Sequence, residues 1–178
     1  LSTFRAMPNF YTFRPADGAE NVECWKVALN LNAPCAFVCS RQGLNPLDEA
    51  KFGSVANGAY LIKESKNPQI TLVASGSEVG LCLEAANLLE NSDIGVNVVS
   101  APCFDLLCEQ ESSYIKRIFA PQTKVLAVEA ATALEWYKFA NNVFGMSSFG
   151  ASAPADELFK HFGFSATNIA NVAKEMLK

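Results

Sequence analysis

QITLVASGSEVGLCLEAANLL, residues 69–89, changes its hydrophobic period midway. Residues 69–74 form a short apolar, β-prone run, and Ser75-Gly76-Ser77 is a tight turn. From residue 78 onward, Val79, Leu81, Cys82, Ala85 and Leu89 recur at helical spacing. Strand, tight turn and helix in this order open a parallel α/β unit, and the alternation continues downstream. Residues 96–100 (VNVVS) read as a strand, 105–120 as largely helical and 124–129 (KVLAVE) as a strand. Residues 133–143 read as a helix and 144–149 as a short strand. Two helices close the chain, over 155–162 and 166–177. Pro154 sets up the first, Ser165 is suited to cap the second, and Gly163 separates them as a C-cap. Strands alternating with helices predict an open, mostly parallel α/β sandwich with helices on both faces.

Upstream of residue 69 the pattern is thinner. Residues 9–15 (NFYTFRP) are aromatic and β-prone, and Asp17-Gly18 turns the chain. Residues 19–30 carry Val22, Trp25, Ala28 and Leu29 at helical spacing, and residues 34–40 form a strand. Residues 41–58 are loop-like, with Gly43, Asn45-Pro46, Gly53 and Gly58, and 59–64 (AYLIKE) read as another strand. Residues 65–68 (SKNP) form a turn or linker, which sets the expected domain boundary: 1–65 and 66–178. A parallel sheet needs both faces covered, and three strands with one clear helix cannot supply that. Either a partner chain covers the rest or a missing part lies upstream; the second is the expectation, together with the chain being a fragment.

The bulk numbers restrict the class. Half of the 178 residues are hydrophobic and 18% are charged, which excludes a disordered chain. The net charge of -4, with no basic stretch, argues against nucleic-acid binding. No apolar run reaches the roughly 20 residues of a membrane span. There are six Cys and a single His, with no C-x-x-C pair, so reduced thiols in a cytoplasmic setting are expected rather than a zinc site.

Several residues invite a chemical reading. The turn at 74–80 (ASGSEVG) suits an anion at a helix N-terminus, but it lacks G-x-G-x-x-G spacing and also reads as a tight turn capped by Ser77. Glu129 ends its strand where sites gather, but a helix cap or a Lys pair explains it equally. Ser148, Ser152 and His161 match no hydrolase signature. Phe10, Tyr11 and Phe13 fit a core better than a ring-stacking site. Arg41 follows the strand at 34–40 (residues 34–43, PCAFVCSRQG). It is either a solvated or carboxylate-paired Arg, or a clamp for an anionic ligand.

An ordered set of segments then carries a resemblance. MPNFYTFRPAD (7–17), SRQGL (40–44), ASGSEV (74–79), VVSAPCFDLLCEQ (98–110), AVEAA (127–131) and GMSSFGASAPADELFKHFGF (145–164) together closely resemble transketolases. The resemblance covers the last quarter to third of such an enzyme. It makes residues 1–65 the incomplete end of the middle, pyrimidine-binding domain and 66–178 the C-terminal domain. It implies transfer of a two-carbon ketol unit between sugar phosphates, with thiamine diphosphate and a divalent cation (Mg or Ca) as cofactors, in the pentose phosphate pathway. The cofactor ligands and active-site histidines would lie outside this chain, so the segment alone is expected to be inactive and to bind no cofactor. Arg41 takes the role of the Arg that binds the substrate phosphate, with Gly43 replacing the family's usual Asn. The implied partner is a second copy, in a homodimer. The alternatives are a sister thiamine diphosphate enzyme (deoxyxylulose-phosphate synthase or a 2-oxo acid dehydrogenase subunit) and a free-standing nucleotide- or anion-binding module.

Overall fold

A computed structural model describes residues 1–47 and 54–178. The expected loop over 41–58 therefore falls partly, at 48–53, outside the described residues.

The strands β4 (Ile70–Ala74), β5 (Val96–Ser100) and β6 (Lys124–Val128) form the centre of a five-stranded sheet. Every residue of β4 and β5 is buried, as a parallel strand covered on both faces requires. Their side chains divide by period two. Leu72, Val98 and Leu126 face one core, and Val73, Val99 and Ala127 face the other. The first core is closed by α3 (Glu78–Glu90) and α7 (Ala166–Met176), which bring Val79, Cys82, Leu89 and Ile169 onto the sheet. The second is closed by α4 (Phe104–Cys108), α5 (Ser112–Ile118) and a 3₁₀ turn at Leu134–Lys138, through Leu107, Ile118 and Trp136.

The edge strands are β3 (Tyr60–Lys63) and β7 (Asn142–Phe144), in the order β3-β5-β4-β6-β7. All pairings in this sheet are parallel except β3 with β5, which is antiparallel. Expectation and structure part here in three places. The strand read at 59–64 joins the second sheet instead of the first. The helix expected over 105–120 is two helices, α4 and α5, interrupted at Glu109–Glu111. The helix expected over 133–143 is a single 3₁₀ turn, and the strand after it begins at Asn142 because its backbone pairs with Leu126–Val128. The closing helices stand as read: α6 (Ala155–His161), then Gly163 at φ +78, then Ser165, whose hydroxyl accepts from the Asn168 amide at 3.2 Å.

The N-terminal part is smaller. After a short helix α1 (Ser2–Arg5), β1 (Tyr11–Phe13) and β2 (Cys35–Phe37) pair in parallel across α2 (Gly18–Asn30). Asp17 caps α2 through its Oδ1, which accepts from the Glu20 amide at 2.7 Å. Phe13, Phe37 and Trp25 stack in series, at 5.2 Å and 4.2 Å between centroids. The exit of β1 is fastened to the second sheet's surroundings, where the Arg14 amide donates to the Pro102 carbonyl at 2.7 Å. No helix among the described residues is long and apolar enough to cross a membrane.

Candidate functional site

Ligands of open α/β sheets gather beyond the carboxyl ends of the strands. Here that ground lies past β4 and β6, where Ser75, Glu78 and Glu129 converge. All three are buried, and what occupies the space is the chain itself. Arg5, at the end of α1, forks onto Glu129 through two hydrogen bonds of 2.7 and 2.8 Å and reaches Glu135 at 2.5 Å. Its guanidinium lies 5.4 Å from the Phe104 ring centroid and 5.7 Å from that of Trp136. Trp136 Nε1 donates to Glu129 Oε2 at 2.9 Å and Ser75 Oγ donates to Glu129 Oε1 at 2.6 Å. Burial alone would push the Glu129 carboxyl up. The hydrogen bonds and charge of Arg5, with Arg14 and Ser75 behind them, reverse this and hold it at about 2.

A second guanidinium enters beside the first. Arg14 pairs with Glu78 at 2.6 Å and donates to the carbonyl of Ser75. Glu78 also accepts from the Ala130 amide at 3.0 Å. Gly76 makes room for this, because at φ +58 a Cβ on it would lie 2.8 Å from the Arg14 guanidinium carbon. The turn that could have held an anion is thus filled by a cation. The expected Ser77 cap is also absent: its hydroxyl donates to Glu78 Oε1 at 2.6 Å.

A third buried carboxylate links the two parts of the chain. Glu20 of α2 accepts from Tyr60 Oη and Ser100 Oγ, both at 2.6 Å, and from the Ala16 amide at 2.5 Å. Its burial raises the pKa above the ordinary value, and those three donors offset only part of the rise.

Arg41 is exposed and lies in coil four residues past β2. Ser40, before it, lines a recess of about 200 Å³ with Pro15, Asp17, Asn21 and Leu44. Gln42, after it, lines a wider, open recess of about 660 Å³ together with Ser77, Leu81 and Phe159. Asp17 anchors the far side of this loop, its Oδ2 accepting from the Leu47 amide at 2.7 Å. The remaining candidates do not assemble into a site. Ser148 donates to the carbonyl of Phe149, and His161 is exposed with its ring edge-on to Phe162. Phe13 is fully buried, whereas Phe10 and Tyr11 are only partly so. All six Cys are free thiols.

Sequence reasoning passed over Arg5, Arg14 and Glu20. One signal was available: Glu129 and Glu78 both fall where a buried strand meets a helix, and buried carboxylates demand cations. Among the described residues no group of three His, Cys, Asp or Glu is placed to hold a metal. The two interior arginines are committed to carboxylates. These residues do not fit a metal-bound diphosphate.

Comparison with known proteins gives this geometry its family. Residues 58–165 match the model of the transketolase-like C-terminal domain, and residues 1–46 match that of the transketolase pyrimidine-binding domain. The chain belongs to the transketolase family. It is 40% identical to transketolase 2 of Aliivibrio fischeri over 185 aligned positions, which take in 99% of this chain and 28% of that protein. The crystal structure of Campylobacter jejuni transketolase superposes with a TM-score of 0.92 at 54% identity, over 96% of this chain and 27% of that one. A Pichia stipitis transketolase in complex with sedoheptulose-7-phosphate superposes with a TM-score of 0.92 at 32% identity, over 99% of this chain and 26% of that one. The chain thus spans about 28% of the length of the curated relatives it matches.

Proposed function

We propose that this chain works as the C-terminal part of a transketolase, combining the closing part of a pyrimidine-binding domain with a C-terminal domain. The whole enzyme moves a two-carbon ketol unit between sugar phosphates in the pentose phosphate pathway. It does so as a cytoplasmic homodimer, with thiamine diphosphate and a divalent cation held by residues beyond this chain. The observation that carries the reading is the order of the two family matches, the pyrimidine-binding model at 1–46 followed by the C-terminal model at 58–165. The reaction chemistry belongs to the cofactor, and no step of it is assigned to residues present here.

What this chain contributes to substrate is Arg41, as the phosphate-binding residue. It is exposed on a loop between two recesses, and a guanidinium offers phosphate a planar fork of donors. Substitution Arg41→Ala in the full-length enzyme is expected to raise KM for phosphorylated sugars by about tenfold or more, the loss of one charge-assisted contact. An unchanged KM in steady-state kinetics would remove Arg41 from the site. The module alternative, an anion held at the Gly76 turn, is disfavoured because the Arg14 guanidinium fills that turn and is already paired with Glu78.

A further inference from the structure

We propose that Arg14 is a positioning residue for the substrate phosphate: seated in the Gly76 turn, it fixes the Arg41 loop against the five-stranded sheet. The inference rests on the reading of Arg41 as the phosphate ligand.

The amide, the carbonyl and Nη1 of Arg14 all engage the second sheet or its connections. Its amide donates to Pro102, its carbonyl accepts from the Gly76 amide at 2.9 Å, and its guanidinium holds Ser75 and Glu78. The side chain is only 11% exposed. Arg14 is thus the point at which β1 is nailed to the start of α3.

The Arg41 loop hangs from the residues flanking that point. One residue before it, the Phe13 carbonyl accepts from the Val38 amide at 2.8 Å, where β2 ends and the loop begins. Three residues after it, Asp17 takes the Leu47 amide at 2.7 Å. Both ends of the segment bearing Arg41 are therefore tied to the stretch 13–17, and that stretch is held to the second sheet by Arg14 together with the Phe13–Cys103 bridge and Glu20. Between the ties, Gln42 and Leu44 face Ser77 and Leu81 of the α3 start across the wider recess. A shift of Arg14 moves the loop relative to α3, and with it the guanidinium of Arg41. Ser75 adds a link to the deeper pair, because its hydroxyl donates to Glu129 and lies 3.2 Å from Arg14 Nη1.

A buried ion pair is weak evidence for stability taken alone, so the test reads phosphate recognition. In the full-length transketolase carrying these residues, KM would be measured for a phosphorylated sugar and for an unphosphorylated one, in Arg14→Gln, Arg41→Ala and the double variant. The expected result is a rise of up to about tenfold in the ratio of the two KM values for Arg14→Gln, no larger than the rise in Arg41→Ala. The rise should disappear in the Arg41→Ala background, since the two residues act as one unit. A proportional loss of activity toward both substrates, or a rise that persists undiminished without Arg41, would overturn the proposal. If Arg41→Ala itself leaves KM unchanged, the phosphate reading fails first, which is a separate outcome. Should Arg14→Gln not fold, the isosteric Glu78→Gln, which removes the charge of the pair while keeping the oxygen that Arg14 and the Ala130 amide share, is read by the same two results.

Discussion

Glu129 and Glu20 are both fully buried carboxylates, yet their surroundings give them opposite relations to pH. Glu129 faces a guanidinium and is held at about 2 against an ordinary 4.5. Its contribution to stability is complete above pH 4.5 and is lost as pH falls toward 2. Glu129→Gln keeps the shape and removes the charge, leaving Arg5 with Glu135 alone. The expected cost is about 1–3 kcal/mol, less than for a fully orphaned buried ion because Glu135 still pairs with Arg5, read as a lower urea midpoint at neutral pH. Arg5→Met should cost less on the Glu129→Gln background than in the unaltered chain, and an equal cost in both backgrounds would contradict the pairing. Glu20 accepts three hydrogen bonds from neutral donors, and burial raises its pKa. A raised carboxyl favours the folded state below its ordinary pKa, and that advantage fades as pH rises through the folded value. Glu20→Gln should therefore flatten the dependence of unfolding free energy on pH from about 4.5 upward. Urea titrations at several pH values would check this, and an unchanged slope would refute it.

At the scale of elements, what could be read in the sequence was what burial enforces. The central strands were legible as apolar runs because both faces of β4 and β5 are covered. The end of α6 and the start of α7 were legible because Gly163 and Ser165 act through local geometry. The 3₁₀ turn after β6 was not. Leu134 and Tyr137 are mostly exposed, and Ala133 starts the turn at φ +51, so apolar residues counted toward a helix are not on a common buried face. Nor could β3 be assigned to its sheet, because strand partners are chosen by tertiary contacts; Tyr60 sits opposite Ser100, and both donate to Glu20. Arg41 stood out by its place after an apolar strand, but its proposed phosphate-binding role came only from the family resemblance, since an exposed Arg outside regular structure carries no local signature of a ligand. The two sheets should differ in local stability. Two short parallel strands are marginal alone, whereas β4, β5 and β6 are interior. Hydrogen exchange of the chain is expected to protect amides of Ile70–Ala74 and Val96–Ser100 to near the global limit, and those of Tyr11–Phe13 and Cys35–Phe37 distinctly less. Equal protection throughout would mean that the arginine pins bind the two parts into one cooperative unit.

For the whole molecule, the distribution of charge bears directly on what this chain can hold. The carboxyl edge of the parallel strands, where an α/β sheet takes its ligands, is closed by Arg5 and Arg14, and both are neutralised by glutamates. No metal-binding group of three His, Cys, Asp or Glu is present among the described residues, and the net charge is -4. A magnesium-bound diphosphate needs concentrated donors and oxygen ligands, and neither is on offer at that edge. Calorimetric titration of the chain with thiamine diphosphate and Mg²⁺ should accordingly give only heats of dilution up to micromolar concentrations, and the chain alone should show no ketol transfer. A one-to-one isotherm with a micromolar Kd would mean that the guanidiniums leave their glutamates to receive the cofactor. In that event Arg5→Met and Arg14→Gln should each weaken the binding, whereas binding untouched by either variant would place it at some other surface of the chain.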